Sequence, residues 1–509
     1  MQNERVGTTG AKWLLPVSDF VGFPLDQVNF LACQVFALGA AFCFRLYLSP
    51  YHASPLVRHT VAIIFGLSFI VFCFGWYAVH IILLVVVCYG ILVTADSNNI
   101  HRYTLAVAIS YLTACHVSRV FKYSYGILST DFSGPLMIIS QKTTMLAFQV
   151  HDGISKQSEH LSADQRHLAV DSKPSLLEYL SYNLNFLSVL VGPCSHYNDY
   201  IDFIEGRHLQ RRLKRLSESV RGQCGFGKVP EFSPMGAVTR KLLVCVVCMV
   251  LFVTLTKAFP ITYNVDSRFV SEAPFLTRLM YAFFSIQAAR PKYYFAWTLA
   301  DAINNAAGYG FKGVDETGQG SWDLISNLNI WGIETATSFK TFIDNWNIQT
   351  GVWLKTVCYE RAPRYQTALT FILSALWHGV YPGYYFTFIT AIPITLAARA
   401  VRRNVRPYFL TSHLKLGYDV LTWAATQLSV CYTVMPFLLL AVEPSMQYYK
   451  SMYFHGHIIS MLAVVALSQR RRLRDGASRS SNGTKPALYH PAPLAQPQLQ
   501  GPNSIMKGN

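Results

Sequence analysis

Apolar stretches of roughly 20 residues recur along almost the whole chain, separated by short polar or basic segments. About 20 apolar residues are what a helix needs to cross a bilayer, so the pattern predicts an all-α polytopic membrane protein. Residues 28–48 are the first span, with Arg45 near its end. Residues 56–94 are too long for one crossing and predict two helices broken near Gly75-Trp76. Residues 104–121 and 133–149 follow as spans. The polar segment 151–173 reads as extramembrane. Residues 176–192, ending at Gly192-Pro193, read either as a re-entrant element or as a short span.

Further on, 207–228 is strongly basic and opens with RHLQRRLKRL, the signature of a cytosolic loop. Residues 241–259 predict a span, and 275–310 a longer membrane segment interrupted at Arg290-Pro291-Lys292. Residues 367–398 predict two membrane helices or one broken one, followed by Arg399, Arg402, Arg403 and Arg406. Residues 418–442 and 452–468 complete the set. Two spans separate the basic loop 399–406 from the basic stretch 470–474, so both belong on one side. Between loops 207–228 and 399–406 the parity requires one segment to be re-entrant or not to cross. The broken stretches at 290–292 and Pro382 are the candidates, because irregular backbone at membrane depth needs a buried or water-lined site.

The organisation is then an extramembrane segment at 1–23, one membrane domain at 24–468, and a tail at 469–509. The tail is basic (QRRRLR), then rich in Ser, Pro, Gly and Gln, and is expected to be cytosolic and disordered. Its Asn482-Gly483-Thr484 sequon would be silent on that side. The N-terminus lacks the pattern of a cleaved signal peptide, so the first span is expected to direct insertion.

Composition sharpens this picture. Only 14% of residues are charged, against about 25% in a soluble domain. The net charge of +16 would suggest nucleic acid in a soluble protein. Here the basic residues gather beside spans and orient the chain, so no nucleic-acid partner is expected. Of the 11 cysteines, several lie inside apolar runs, where they act as small hydrophobes. Cys245 and Cys248 share one helix face, and no metal site is expected there.

Three stretches carry candidate chemistry. SALWHGVYPGYY (residues 374–385) sets His378 in an apolar run beside Gly379 and Pro382-Gly383. An ionisable residue in a span is costly and usually lines a cavity or pathway. An imidazole can accept a proton near neutral pH. FKTFIDNWNIQTGVWLK (339–355) mixes Asp344, Asn345, Asn347 and Gln349 with large aromatics. It reads as an interfacial or partly buried element, the plain alternative being an amphipathic surface helix. KYYFAWTLADAINNAAGYG (292–310) places Asp301, Asn304 and Asn305 on one helical face, lining a cavity or bonding a neighbouring helix. The chain has no GxSxG elbow, no Walker A loop and no HExxH. None of its 15 histidines is followed five positions later by aspartate. His455 and His457 read as interfacial residues.

WNIQTGVWLK, followed by the histidine of SALWHGVYPGYYFTF, resembles the signature of the membrane-bound O-acyltransferase family. Residues 291–311 (PKYYFAWTLADAINNAAGYGF) and 322–330 (WDLISNLNI) resemble its lysophospholipid-acylating branch. So do 131–142 (DFSGPLMIISQK) and 174–186 (PSLLEYLSYNLNF). The likeness covers residues 24–468. It implies about ten to twelve membrane helices, some broken or re-entrant, around a transmembrane reaction tunnel. It implies an endoplasmic reticulum membrane protein that takes acyl-CoA from the cytosol and a lysophospholipid from the bilayer. Acyl-CoA is then a co-substrate, with no cofactor and no metal.

The family's catalytic histidine falls on His378 and its signature asparagine on Asn347. Acyl transfer from a thioester needs a base for the attacking hydroxyl and stabilisation of the oxyanion. His378 would be the base. Asn347 would orient either the imidazole or the thioester carbonyl. Trp346, Trp377 and Tyr381 are candidate walls of the substrate cavity, or else interface anchors. Asp301 and Asn304 are further substrate-binding candidates. The resemblance also implies ethanolamine or serine head groups and unsaturated donors such as oleoyl-CoA. Rival readings are a protein- or sterol-acylating member of the family, and a lipid transporter using the polar stripe at 301–305. No internal repeat supports the transporter.

Overall fold

The computed structural model describes residues 9–122, 131–155, 159, 161–208, 232–314, 320–410 and 413–467. The basic loop, for the most part, and the tail lie outside these residues. Helices make up nearly all the regular structure; the sheet is a two-stranded ribbon, Gly313–Val314 with Gly320–Ser321. The chain opens with α1 (Leu15–Val21), α2 (Leu25–Tyr47), α3 (Pro55–Phe74) and α4 (Ala78–Thr94). Then come α5 (Ile100–Lys122), α6 (Ser133–Ser155), α7 (Ala163–Leu168), α8 (Leu176–Leu184) and α9 (Tyr197–Ile204).

The second half holds α10 (Met235–Ala258), α11 (Ser267–Glu272) and α12 (Phe275–Ala306). Three short helices follow: α13 (Ile330–Glu334), α14 (Phe339–Asn345) and α15 (Ile348–Leu354). The last are α16 (Gln366–His378), α17 (Pro382–Asn404), α18 (Lys415–Leu439), α19 (Val442–Ser451) and α20 (His455–Leu467).

Five stretches among the described residues are long and apolar enough to cross a bilayer: Leu25–Tyr47, Pro55–Thr94, Ile100–Phe121, Met235–Val265 and Pro382–Tyr408. The pair α19 and α20, bent by 68°, makes a sixth if it counts as one span. α6, α12 and α18 are as long but bury many polar residues. A tally of ten to twelve therefore rests on helices that composition does not mark as spans. Residues 56–94 break where expected, at Gly75, whose φ of 56° is left-handed and ends α3.

One expectation changes and another narrows to one of its two alternatives. α12 is not interrupted at 290–292: it runs as one 32-residue helix through Pro291. A proline inside a helix costs about 3 kcal/mol, and membrane helices tolerate it when neighbours hold the helix. Here Arg290 Nη1 donates to Glu334 (3.2 Å) and to Gln427 Oε1 (3.0 Å), while Tyr294 Oη donates to Glu334 Oε1 (2.6 Å). Residues 176–192 are not a span either. α8 has nine residues, and the chain then runs irregularly to His196, mostly buried. Lys142 on α6 satisfies this backbone, its Nζ donating to the Tyr182 carbonyl and Ser188 Oγ, both at 2.7 Å. Asn304 Nδ2 donates to the Leu187 carbonyl at 3.0 Å.

The N-terminal segment is tied to the bundle. Ala11 N–H donates to the Phe72 carbonyl, and Asn29 Nδ2 donates to the Ala11 carbonyl.

Candidate active site

Buried apolar residues form two clusters. One centres on α2–α9 and includes Trp353 and Trp377. The other joins α12, α14 and α17–α19, with Trp346 and Phe386 packed against it. Asn347 stands between Trp346, which packs on the second cluster, and Trp353 of the first, and His378 follows Trp377 of the first.

The frame for both is α6. Trp377 Nε1 donates to the Met137 carbonyl at 3.0 Å. Gln141 Nε2 donates to Thr350 Oγ1 at 2.9 Å, and Trp353 Nε1 donates to Thr144 Oγ1 at 2.9 Å. Met137, Gln141 and Thr144 are spaced at i, i+4 and i+7, so they share one face. This face therefore fastens the residue before His378 and the residue three past Asn347. A two-residue slip of α6 would separate them.

His378 ends α16. Gly379 follows with φ 134°, a left-handed value that an L side chain would strain, and releases the chain from the helix. Pro382 starts α17, where its missing N–H costs nothing. Gly383 lets α17 meet the end of α18: its N–H donates to the Leu440 carbonyl at 2.7 Å, and a Cβ there would lie 2.1 Å from the Pro436 carbonyl oxygen. The expected break in residues 367–398 is thus found at 379–381.

The imidazole sits in an aromatic cradle. Its ring stacks on Phe388 (5.2 Å between centroids) and meets the Phe437 ring edge-on (5.0 Å), with Tyr384 at 5.8 Å. The residue is half-buried, so part of its surface stays accessible. The same holds for Tyr293. Among the described residues no hydrogen bond reaches the His378 ring, and its nitrogens are not sealed by packing.

Asn347 precedes α15 with left-handed angles (φ 48°, ψ 52°), which asparagine tolerates better than most residues. The turn is pinned on both sides: Ile348 N–H donates to the Asn327 carbonyl, and Asn329 N–H to the Asn345 carbonyl. The Asn347 amide makes no hydrogen bond among the described residues and is only partly buried. Its neighbours are committed elsewhere. Asn345 Nδ2 donates to the Thr341 carbonyl, and Gln349 Nε2 donates to the Leu324 carbonyl at 3.4 Å. Trp346 packs among Tyr293, Trp297 and Phe342 at 5.6–6.1 Å. Tyr293 in turn lies within electrostatic range of Tyr384, which links the two aromatic groups.

The remaining candidates divide. Trp346 belongs to this aromatic wall. Tyr381 stands one residue before α17, with its ring 6.0 Å from Tyr384. Trp377 points into the core beside Trp353 (5.7 Å) and backs His378. Asp301 and Asn304 have other commitments. Lys241 Nζ donates to Asp301 Oδ2 (2.7 Å), Asn305 Oδ1 (2.8 Å) and the Trp322 carbonyl (2.9 Å). Ser326 also donates to Asp301. Their hydrogen bonds bind α10, α12 and the irregular segments together, and none reaches the His378 cradle.

Sequence reasoning passed over Tyr293, Trp297, Tyr384, Phe388, Phe437 and His116. Tyr384 lay inside the quoted SALWHGVYPGYY. His116 is an ionisable residue in a predicted span, so the rule that singled out His378 applied to it equally.

Residues 117–435 match the family described as MBOAT, membrane-bound O-acyltransferase family. The chain is 60% identical to membrane-bound glycerophospholipid O-acyltransferase 1 of Mus musculus, over 94% of this chain and 97% of that one. It is 51% identical to membrane-bound glycerophospholipid O-acyltransferase 2 of Homo sapiens, over 92% and 89% respectively. It is 41% identical to lysophospholipid acyltransferase 6 of Drosophila melanogaster, over 93% of this chain and 65% of that one.

Proposed function

As the chain belongs to the membrane-bound O-acyltransferase family, we propose that it moves a fatty acyl group from acyl-CoA to the free hydroxyl of a lysophospholipid. It is a multi-pass membrane acyltransferase, and its glycerophospholipid-acylating relatives support lysophospholipid acylation. The finer reading is an acceptor with an ethanolamine or serine head group and an unsaturated donor such as oleoyl-CoA, in phospholipid remodelling. The proposed setting is the endoplasmic reticulum membrane with the tail in the cytosol.

The observation that carries the reading is the pairing of an unbonded imidazole with an unbonded amide on elements hung from one face of α6. His378 takes the proton of the lysolipid hydroxyl as its oxygen attacks the thioester carbonyl. The C–O bond forms and the carbonyl oxygen gains negative charge. Collapse of that intermediate breaks the C–S bond, and the imidazolium returns the proton to the CoA thiolate. Asn347 can donate to the oxyanion or hold the imidazole; both uses need its amide free. The aromatic cradle excludes bulk water, which protects the thioester from hydrolysis.

The test is an acceptor-by-donor matrix, read by mass spectrometry on membranes expressing the chain. Lysophosphatidylethanolamine and lysophosphatidylserine with oleoyl-CoA should give the largest product signal. Transfer only to peptide or cholesterol acceptors would overturn the proposal.

A further inference from the structure

A second histidine stands beside the candidate base. His116 on α5 is 7% exposed, at the depth of the junction between α16 and α17. Its ring lies against Gly379: a methyl group placed there would be 3.3 Å from His116 Nδ1 and 3.4 Å from Tyr384 Cε2. The ring is also within reach of the Trp377 backbone and within electrostatic range of His378. It therefore lies against the residue that follows His378. The Arg119–Asp131 ion pair (2.7 Å) on the same helix and its neighbouring loop also acts on it.

His116 Nε2 is buried and has no hydrogen-bond partner. Buried polar atoms are nearly always paired, and one that is not calls for an explanation. An apolar side chain would fill the same space without stranding a nitrogen. His59 Nδ1 and His101 Nδ1 are also buried and unpaired, so what singles out His116 is its place against Gly379, beside His378.

We propose that His116 is a positioning residue of the acyl-transfer site. It braces the end of α16 against Gly379 and so fixes the orientation of the His378 imidazole. The close approach at Gly379 is part of the device, because a side chain there would push His116 away. This inference rests on the reading of His378 as the base.

The experiment compares His116→Leu, His116→Gln and His378→Ala in the full-length protein, purified in detergent and assayed with lysophosphatidylethanolamine and oleoyl-CoA. For His116→Leu, kcat should fall on the order of 10- to 100-fold, the cost of slight misplacement of a reacting group. Both KM values should stay within about twofold. The thermal unfolding midpoint should be unchanged or raised. His116→Gln, which can still donate and accept, should recover most of the rate. Full kcat in His116→Leu, a parallel loss of kcat and thermal midpoint, or a glutamine variant no better than leucine would each overturn the inference. Robust turnover by His378→Ala would overturn the proposed base and this inference with it. An inactive His378→Ala beside a fully active His116→Leu would overturn this inference alone.

Discussion

Two polar groupings at membrane depth behave in opposite ways. Around Lys241, each donor meets an acceptor: Asp301, Asn305 and the Trp322 carbonyl all lie within 2.9 Å of one ammonium. Around His378, aromatic rings replace hydrogen bonds, and the imidazole keeps accessible surface. Burying a charge is tolerable when it is paired and bonded. A site for chemistry needs the reverse: polar atoms held in place yet left unpaired. Polarity in a membrane helix thus does not by itself mark a catalytic residue: the Asp301 carboxylate is paired with Lys241 through Oδ2, although its Oδ1 has no partner, whereas the His378 ring is held by aromatic contacts.

The comparison can be broken most sharply at His378. His378→Ala should reach membranes at near wild-type abundance and lose acyl transfer by about 10²- to 10⁴-fold. Robust transfer by the well-expressed variant would remove the base from the cradle. Lys241→Met should do the converse. It strands the Asp301 carboxylate, at a cost of roughly 3–5 kcal/mol, and should show as lost folded yield by fluorescence-detected size exclusion. The fraction that folds should turn over normally. Replacing both partners, Lys241→Met with Asp301→Leu, should recover much of the yield; a double variant as poor as the single one would give Asp301 a separate role.

Asn347→Ala should lower kcat by roughly 10²- to 10³-fold, the scale of losing one oxyanion donor. Unchanged turnover would be hard to reconcile with a free amide at that turn, since Asn345 and Gln349 are already engaged. The smallest effect belongs to Trp377→Phe. It removes the hydrogen bond to the Met137 carbonyl, worth about 1 kcal/mol, and should slow turnover a few-fold while KM holds. A variant that loses stability but keeps kcat would show that this anchor does not position His378.

Much of this was legible in the chain. Five spans followed from apolar run length, while α6, α12 and α18, also read as spans, are not apolar enough to be marked so; the break after His378 followed from Gly379 and Pro382-Gly383. Asn347 and His378 were legible through the motif resemblance and through the rule that membrane histidines line cavities. The stripe of Asp301 and Asn304 was legible as polar but not as satisfied, because their partners, Lys241 and the Leu187 carbonyl, are distant in sequence. Pro291 read as an interruption because local propensity says nothing of Glu334 and Gln427, which brace that helix from elsewhere. His116 was missed for the same reason: its meaning depends on a neighbour some 260 positions away.

The sequence by itself determined that this is a polytopic helical membrane protein, because burial in lipid is set by local composition. It also determined the chemistry on offer, an imidazole and an amide at fixed motif positions. Tertiary structure alone decided which polar groups stay free. Hydrogen-bond satisfaction is a property of pairs, and the pairs here join residues up to 240 positions apart, as Trp377 joins Met137. One face of α6 bonds Thr350 and Trp353 of α15 and Trp377 of α16, which no local pattern of the sequence announces.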